Sequence, residues 1–486
     1  MNFIKSSIER LFVNYEDTFT QPSLRNFTAL AKGWILCSGR HSISRVIQFI
    51  PEGWGTNHSR YYNFFSRAKW VADDLSMSLV PMVLQLIPEE MPVFATIDDT
   101  LAYRSGAHIW GAGMHYDPLK SNYGRGTKRI ASLAFGHSWV IVSLLVPVSW
   151  SQDRLLAVPV LFRLYRSKKM CPTNEYRKRS ELAADLVELL CRWLPSTRHL
   201  HLLGDDEYAT KIVAKRIAFL EKEVTTNKRR WSLPEKIVLC GPMHMQAAFY
   251  APPTSYQGRG RPRTKGPRLP SPRMLAVHSI PWETRVVHIY GRDVEIQTKT
   301  QVGLWYTSTG TRVVRMIVTR DPKGRIDDRA YFVTDPTMTV SDAIISYSHR
   351  WCQEVVHRNL KQYFGLDDPQ NGWWRRPGGQ RKDNRLPGPA PHKSRGIRAA
   401  TRTVPFVIVV YATVEIWYLT HGHPADDVAR AQSRAPWNIN KCEPSFADRL
   451  AAARREILFP GLLDATGQAT GCLEIDLDLL ELLLAA

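Results

Sequence analysis

The sequence predicts an α/β fold, a mixed sheet with helices on both faces. Three observations predict it. Apolar, β-branched runs follow one another as MPVFATIDDT, SWVIVSLLVPV and LLAVPVLFRLY between residues 91 and 165. A helical pattern, RSELAADLVELLCRWL, then leads through Pro195 into the short run HLHLLGD. A second helical pattern, ATKIVAKRIAFLEKE, leads into KIVLC. Three meandering strands followed by helix–strand crossovers give a sheet that is part antiparallel and part parallel.

The order is strand, strand, strand, helix, strand, helix, strand, which is the order of the ribonuclease H fold. Residues 89–251 are therefore read as the first part of such a core. Ahead of it, residues 1–88 read as a helical, helix-turn-helix-like DNA-binding domain. Pro22 to Leu36 keeps apolar residues at helical spacing, Cys37–His41 breaks the pattern, and Ser42 can cap the helix SISRVIQFI. A third helix, SRYYNFFSRAKW, mixes aromatic and basic residues. Helix, short Gly-containing turn, helix fits a helix-turn-helix, and a plain helical bundle fits the pattern as well. The pairs Tyr61-Tyr62 and Phe64-Phe65 read as core.

After the core, residues 252–274 form a basic Pro/Gly/Arg linker. Residues 275–340 form a β-rich insertion, with VVHIYGRDVEI, GLWYTS, RVVRMIVTRD and RAYFVTD as strands. Residues 341–372 read as one long helix that completes the core. Residues 373–398 form a basic loop, and residues 399–486 a C-terminal helical region ending in the acidic helix EIDLDLLELLLAA. The apolar run Val404 to Leu419 is short for a bilayer and carries Glu415, so it reads as a buried helix and no membrane is expected.

Charge narrows the partners. Lys and Arg number 65 against 45 Asp and Glu, a formal charge of +20. Such a surplus favours a polyanion, nucleic acid first. Seven scattered cysteines show no CxxC pair and no zinc-ligand spacing. No Walker A motif and no nucleotide-binding GxGxxG is present, since GRGRPR does not join a strand to a helix. His108, His115 and His137 fit no familiar ligand set and read as polar loop residues.

Three acidic positions stand out. Asp98-Asp99 close the first apolar run, where a carboxylate loses solvation and needs a cation or donors. Strand neighbours point to opposite faces, so only one of the two can serve a given site. Asp205-Asp206 end HLHLLGD in the same fashion, and two adjacent carboxylates repel, which favours a divalent cation between them. A helix N-cap is the alternative, above all for Asp206. The third cluster lies in YSHRWCQEVVHRNLK, where steps of three, four, four and three place Tyr347, Arg350, Glu354, Arg358 and Lys361 on one helical face. One acid among three bases and a tyrosine suits a metal site with phosphate contacts around it.

Tyr, two residues, Arg, three residues, Glu, six residues, Lys resembles the YREK signature of bacterial insertion-sequence transposases. Tyr347, Arg350, Glu354 and Lys361 meet it in full. IDDT and GDDEY look like the first and second acid motifs of that family, and the Asp-Thr form there points to Asp99. The resemblance implies a DDE transposase in which Asp99, Asp205 and Glu354 bind two Mg²⁺ ions, with Mn²⁺ as a substitute. It implies double-stranded DNA as partner, both element ends and target, and a homodimer in the synaptic complex. It also implies a cytoplasmic, nucleoid-associated site in a bacterium. One ion would activate water and later a DNA 3′-hydroxyl, and the other would stabilise the leaving 3′-oxygen.

Two further segments suit DNA. Arg259, Arg261 and Arg263 in GRGRPR resemble an AT-hook, with a disordered basic linker as the alternative. Trp373, Trp374, Arg375 and Arg376 could stack on bases, with a hydrophobic loop anchor as the alternative. A nuclease on the same core without strand transfer and a non-catalytic DNA-binding derivative are the competing readings.

Overall fold

The computed structural model describes residues 6–50, 57–105, 109–117, 132–225, 234, 236–254, 262–370 and 393–459. Arg259, Arg261, the segment Trp373–Arg376, His108 and the acidic C-terminal helix lie outside the described residues.

The strands are β1 (Val93–Tyr103), β2 (Gly113–Tyr116), β3 (Leu133–Pro147), β4 (Leu155–Tyr165), β5 (His199–Gly204), β6 (Lys236–Met243), β7 (Phe249–Tyr250), β8 (Arg268–Leu269), β9 (Glu283–Ile289), β10 (Arg292–Leu304), β11 (Val313–Arg320) and β12 (Arg329–Val333). All twelve belong to one sheet. Its first half runs β4-β3-β1-β5-β6, with β3 antiparallel to β1 and to β4, and with β1, β5 and β6 mutually parallel. This is the ribonuclease-H-like order. Beyond β6 the sheet continues through β12, β11 and β10, all antiparallel, so the inserted strands extend the core sheet.

The helices are α1 (Ser7–Val13), α2 (Gln21–Leu36), α3 (Ile43–Gln48), α4 (Ser59–Ser66), α5 (Ala72–Leu84), α6 (Arg179–Trp193), α7 (Lys211–Thr225), α8 (Pro272–Val277), α9 (Tyr306–Thr309), α10 (Val340–Ser348), α11 (Trp351–Gln362), α12 (Ser394–His421), α13 (Pro424–Arg434) and α14 (Phe446–Leu458). Helix α6 covers β3 and β4 on one face of the sheet, and α7 packs beside it. Helices α5, α11 and α12 cover the other face. Ser42 caps α3 as expected, accepting from the Arg45 amide at 3.4 Å.

Helix α12 carries a stretch long and apolar enough to cross a membrane, yet that stretch is mostly buried and the helix is the core rod of this molecule, touching α1, α2, α4, α5 and α14. Phe406 and Val407–Val410 are wholly buried there. Full burial of each such side chain stabilises by roughly 1.5–3 kcal/mol. The buried acid of α12 is satisfied by a network: Arg449 donates two hydrogen bonds to Glu415 at 2.7 and 2.9 Å, and the Tyr411 hydroxyl donates to Glu415 at 2.9 Å. The N-terminal helices therefore share their core with α12 and α14.

Several local expectations are corrected. Strand β1 does not stop at its acids: it runs on to Tyr103, because residues 100–103 pair with Gly136–Trp139 of β3. GLWYTS is not a strand beyond Leu304, since Tyr306–Thr309 turn as a helix. The expected single helix after Ser341 is two, α10 and α11, broken at His349-Arg350. His115 and His137 are buried on β2 and β3, not in loops. Tyr61, Phe64 and Phe65 are core, whereas Tyr62 is exposed.

Candidate active site

Register brings the first two acids together. Ile97 of β1 pairs with Gly204 of β5, so the next residues, Asp98 and Asp205, stand side by side at the point where β5 ends. Alternation along β1 then decides the direction of each acid. Thr96 reaches α11, its hydroxyl donating to Gln353 Oε1 at 2.8 Å. Asp98, two residues on, faces the same helix. Asp99 faces α6.

Arg350, at the N-terminal edge of α11, binds the acids to one another. Its guanidinium lies 3.6 Å from Asp98 Oδ2, and it donates to Glu354 Oε1 at 2.5 Å. The same charge acts on Asp205. Asp98, Asp205 and Glu354 thus gather around Arg350, from a strand, a strand end and a helix. Burial, with Asp205 and Asp99 nearby, holds the Asp98 carboxyl well above the usual carboxylate range. Burial also raises Asp205, against the pull of the Glu207 amide.

The turn after β5 is tightly held. Asp205 Oδ1 accepts from the backbone amides of Glu207 at 2.9 Å and Tyr208 at 3.3 Å, so Asp205 organises the turn and is not the N-cap of α7, which begins at Lys211. Gly241 of β6 makes room for it: a Cβ there would lie 2.1 Å from the Ala209 Cβ. Asp206 is exposed.

Asp99, the acid favoured from the sequence, has other company. Tyr208 and Ser138 donate to its two oxygens at 2.7 and 2.8 Å, and Arg179 of α6 lies 3.3 Å from it. The residues around Glu354 fare variously. Tyr347, on α10, is partly buried, packs tilted against Tyr331 with ring centroids 4.8 Å apart and feels the charges of Arg350 and Asp205. Arg358 is exposed on α11, and Lys361 lies over the Tyr103 ring at 5.0 Å. Arg263 is exposed, in the chain segment before β8.

Some neighbours escaped sequence reasoning. Gln353 bridges Thr96 and His357, whose ring nitrogen lies 2.9 Å from Gln353 Nε2. Burial pushes His357 down to about 3, so its ring is neutral there. The β9–β10 turn carries Tyr290 at φ 55°, and its ring meets Trp351 at 6.5 Å. The turn's two positive φ values, at Tyr290 and Gly291, are the type I′ signal for a hairpin.

With this geometry in place, the comparisons decide the family. A family model described as DDE superfamily endonuclease matches residues 14–304. The chain belongs to the DDE superfamily of endonucleases. The match covers both strand-borne acids and ends before Glu354. A solved structure titled "Cryo-EM structure of piggyBac transposase synaptic complex with hairpin DNA" is similar over 96% of this chain and 76% of that one, at 9% identity and a TM-score of 0.36, too weak a likeness to carry an argument. No curated protein matches.

DDE endonucleases generally use divalent metals. Among the described residues no group of three His, Cys, Asp or Glu stands close enough to hold an ion, and a guanidinium stands between Asp98 and Glu354. The donor chemistry nevertheless fits: three side chains supply hard carboxyl oxygens, the donors that a divalent ion such as Mg²⁺ takes.

Proposed function

We propose that this DDE endonuclease is a transposase, one that cuts DNA at the ends of a mobile element and joins the freed 3′-hydroxyl to target DNA. The observation that carries the reading is the gathering of Asp98, Asp205 and Glu354 about Arg350 beside Tyr347. In this reading Asp98, rather than the Asp99 that the sequence pattern favoured, would be the first metal-binding carboxylate. The three carboxylates would hold two Mg²⁺ ions, or Mn²⁺, which when bound lower the pKa of a nucleophilic oxygen and offset charge on the leaving oxygen.

The protein's own groups position the reaction. In cleavage, the oxygen of water forms a bond to phosphorus, the bond to the 3′-oxygen breaks, and that oxygen leaves as a 3′-hydroxyl. In joining, the same hydroxyl attacks a target phosphodiester, one P–O bond replacing another, so no external energy source is needed. Arg350 and Tyr347 would turn from the acids to the phosphate that arrives, and Arg358 and Lys361 would hold the flanking backbone. The surplus of +20 suits such a partner. Arg259, Arg261, Arg263 and the Trp373–Arg376 segment would add affinity for the duplex. A homodimer would bring two ends together, and the reaction would take place in the cytoplasm, at the nucleoid.

The test is an assay of the purified chain with DNA flanking its gene, in Mg²⁺. Joined products support the transposase. Cleavage without joining would reduce it to a nuclease on the same fold, and binding alone to a non-catalytic relative.

A further inference from the structure

On the α6 face of the sheet, behind the three acids, a second cluster has no part in the reaction as derived above. Both oxygens of Asp99 are engaged: Oδ1 accepts from the Tyr208 hydroxyl at 2.7 Å, and Oδ2 from Ser138 at 2.8 Å, with Arg179 Nε at 3.3 Å. Arg179 continues outward. It donates to Ser138 at 3.1 Å and to Glu207 at 3.3 Å, and its guanidinium lies over the Tyr165 ring at 4.4 Å. Tyr208 and Ser138 are buried.

The two ends of this cluster are what matter. Asp99 is the chain neighbour of Asp98, and its amide donates to Asp98 Oδ1 at 2.8 Å. Glu207 and Tyr208 are the two residues whose amides hold Asp205. The Tyr208–Asp99 bond, with Arg179 reaching both Asp99 and Glu207, therefore ties the turn that carries one active acid to the strand that carries the other. We infer that Asp99 is a positioning residue, which through Tyr208 and Arg179 sets the separation of Asp98 and Asp205 and so the affinity of their site for a divalent cation.

This rests on Asp98 and Asp205 being metal carboxylates, as proposed above. The physical basis is that groups which orient metal ligands typically change affinity by about 10- to 100-fold when lost. A residue that only stabilised the fold would lower the melting temperature and leave the affinity alone.

The test is titration of the full chain with Mn²⁺ alone, followed by electron paramagnetic resonance, on wild type, Asp99→Asn, Tyr208→Phe, the double variant and Asp98→Asn. Tyr208→Phe removes one hydroxyl and keeps the buried ring, which guards against loss of folding. We expect Asp99→Asn and Tyr208→Phe each to weaken Mn²⁺ binding by about 10-fold or more while it remains saturable. The double variant should be no weaker than the weaker single, because Tyr208 acts through Asp99. Unchanged affinity in Tyr208→Phe would overturn the inference. So would Asp99→Asn that abolishes binding outright, since Asp99 would then be a ligand. If Asp98→Asn binds Mn²⁺ like wild type, the metal assignment itself fails, an outcome distinct from the other two.

Discussion

Asp98 and Glu354 are joined by one cation: Arg350 lies 3.6 Å from Asp98 Oδ2 and 2.5 Å from Glu354 Oε1. An arginine four residues before a glutamate on a helix is an ordinary ion pair. One that also reaches a largely buried strand aspartate neutralises acids that would otherwise repel.

Removing the guanidinium should expose that repulsion. Arg350→Ala leaves Asp98, Asp205 and Glu354 without their counter-charge, at a cost on the order of 1–3 kcal/mol after allowance for partial exposure. Adding Ca²⁺, which supports binding without requiring turnover, should then raise the melting temperature of the variant more than that of wild type. A thermal shift no larger than wild type's would show that the ion does not settle among these acids.

Asp98 should set a pH dependence of its own. Its carboxyl titrates well above the ordinary carboxylate range because it is buried beside Asp205 and Asp99. The folded protein therefore holds this proton more tightly than the unfolded chain does. Stability should fall as pH rises from the unfolded value, about 3.9, through the raised folded value. Asp98→Asn removes this slope, so it should be more stable than wild type at neutral pH and inactive in cleavage. Urea midpoints measured across pH decide the matter, and a variant that keeps the wild-type slope contradicts it.

Acid should act through histidines instead. Burial pushes both His41 and His201 down to about 4. Each is neutral in the folded protein and takes up a proton on unfolding near pH 6.5. Their contribution is present above that value and is lost as pH falls from about 6.5 towards 4. His201→Gln should flatten this limb of a stability profile, and an unchanged limb would assign it elsewhere.

Far from the acids, the Glu415–Arg449 pair is buried on α12 and α14. Arg449→Met should cost about 3–5 kcal/mol, because it strands a buried carboxylate. Pairing it with Glu415→Leu should recover most of that loss. Chemical denaturation of the two singles and the double measures the coupling, and additive losses would show that the pair is not acting as a unit.

Much of this was legible in the sequence, and the exceptions have physical reasons. The core strands are apolar runs bounded by helices, and period alone locates them. Glu354 stood out as a candidate because its helix carries a spacing that few other chemistries need. The choice between Asp98 and Asp99 was not, because alternation says that one faces each way without saying which. Which way each one faces comes only from the register Ile97 to Gly204 and the position of α11. The break at His349-Arg350 was hidden because the residues on both sides favour a helix. His115 and His137 read as polar loop residues, since nothing local reveals that β2 pairs with β3 around them. The extension of the sheet past β6 was hidden too, because strand pairing at such distance in the chain leaves no periodic trace.

The most direct measurement is cleavage of DNA carrying the sequence that flanks this gene, in Mg²⁺, by Asp98→Asn and Asp99→Asn side by side. With Asp98 among the reacting carboxylates, the first variant yields no broken strand at any Mg²⁺ concentration, and the second regains cleavage as Mg²⁺ is raised. Full activity in Asp98→Asn, with none in Asp99→Asn, would place the working acid on the other face of β1.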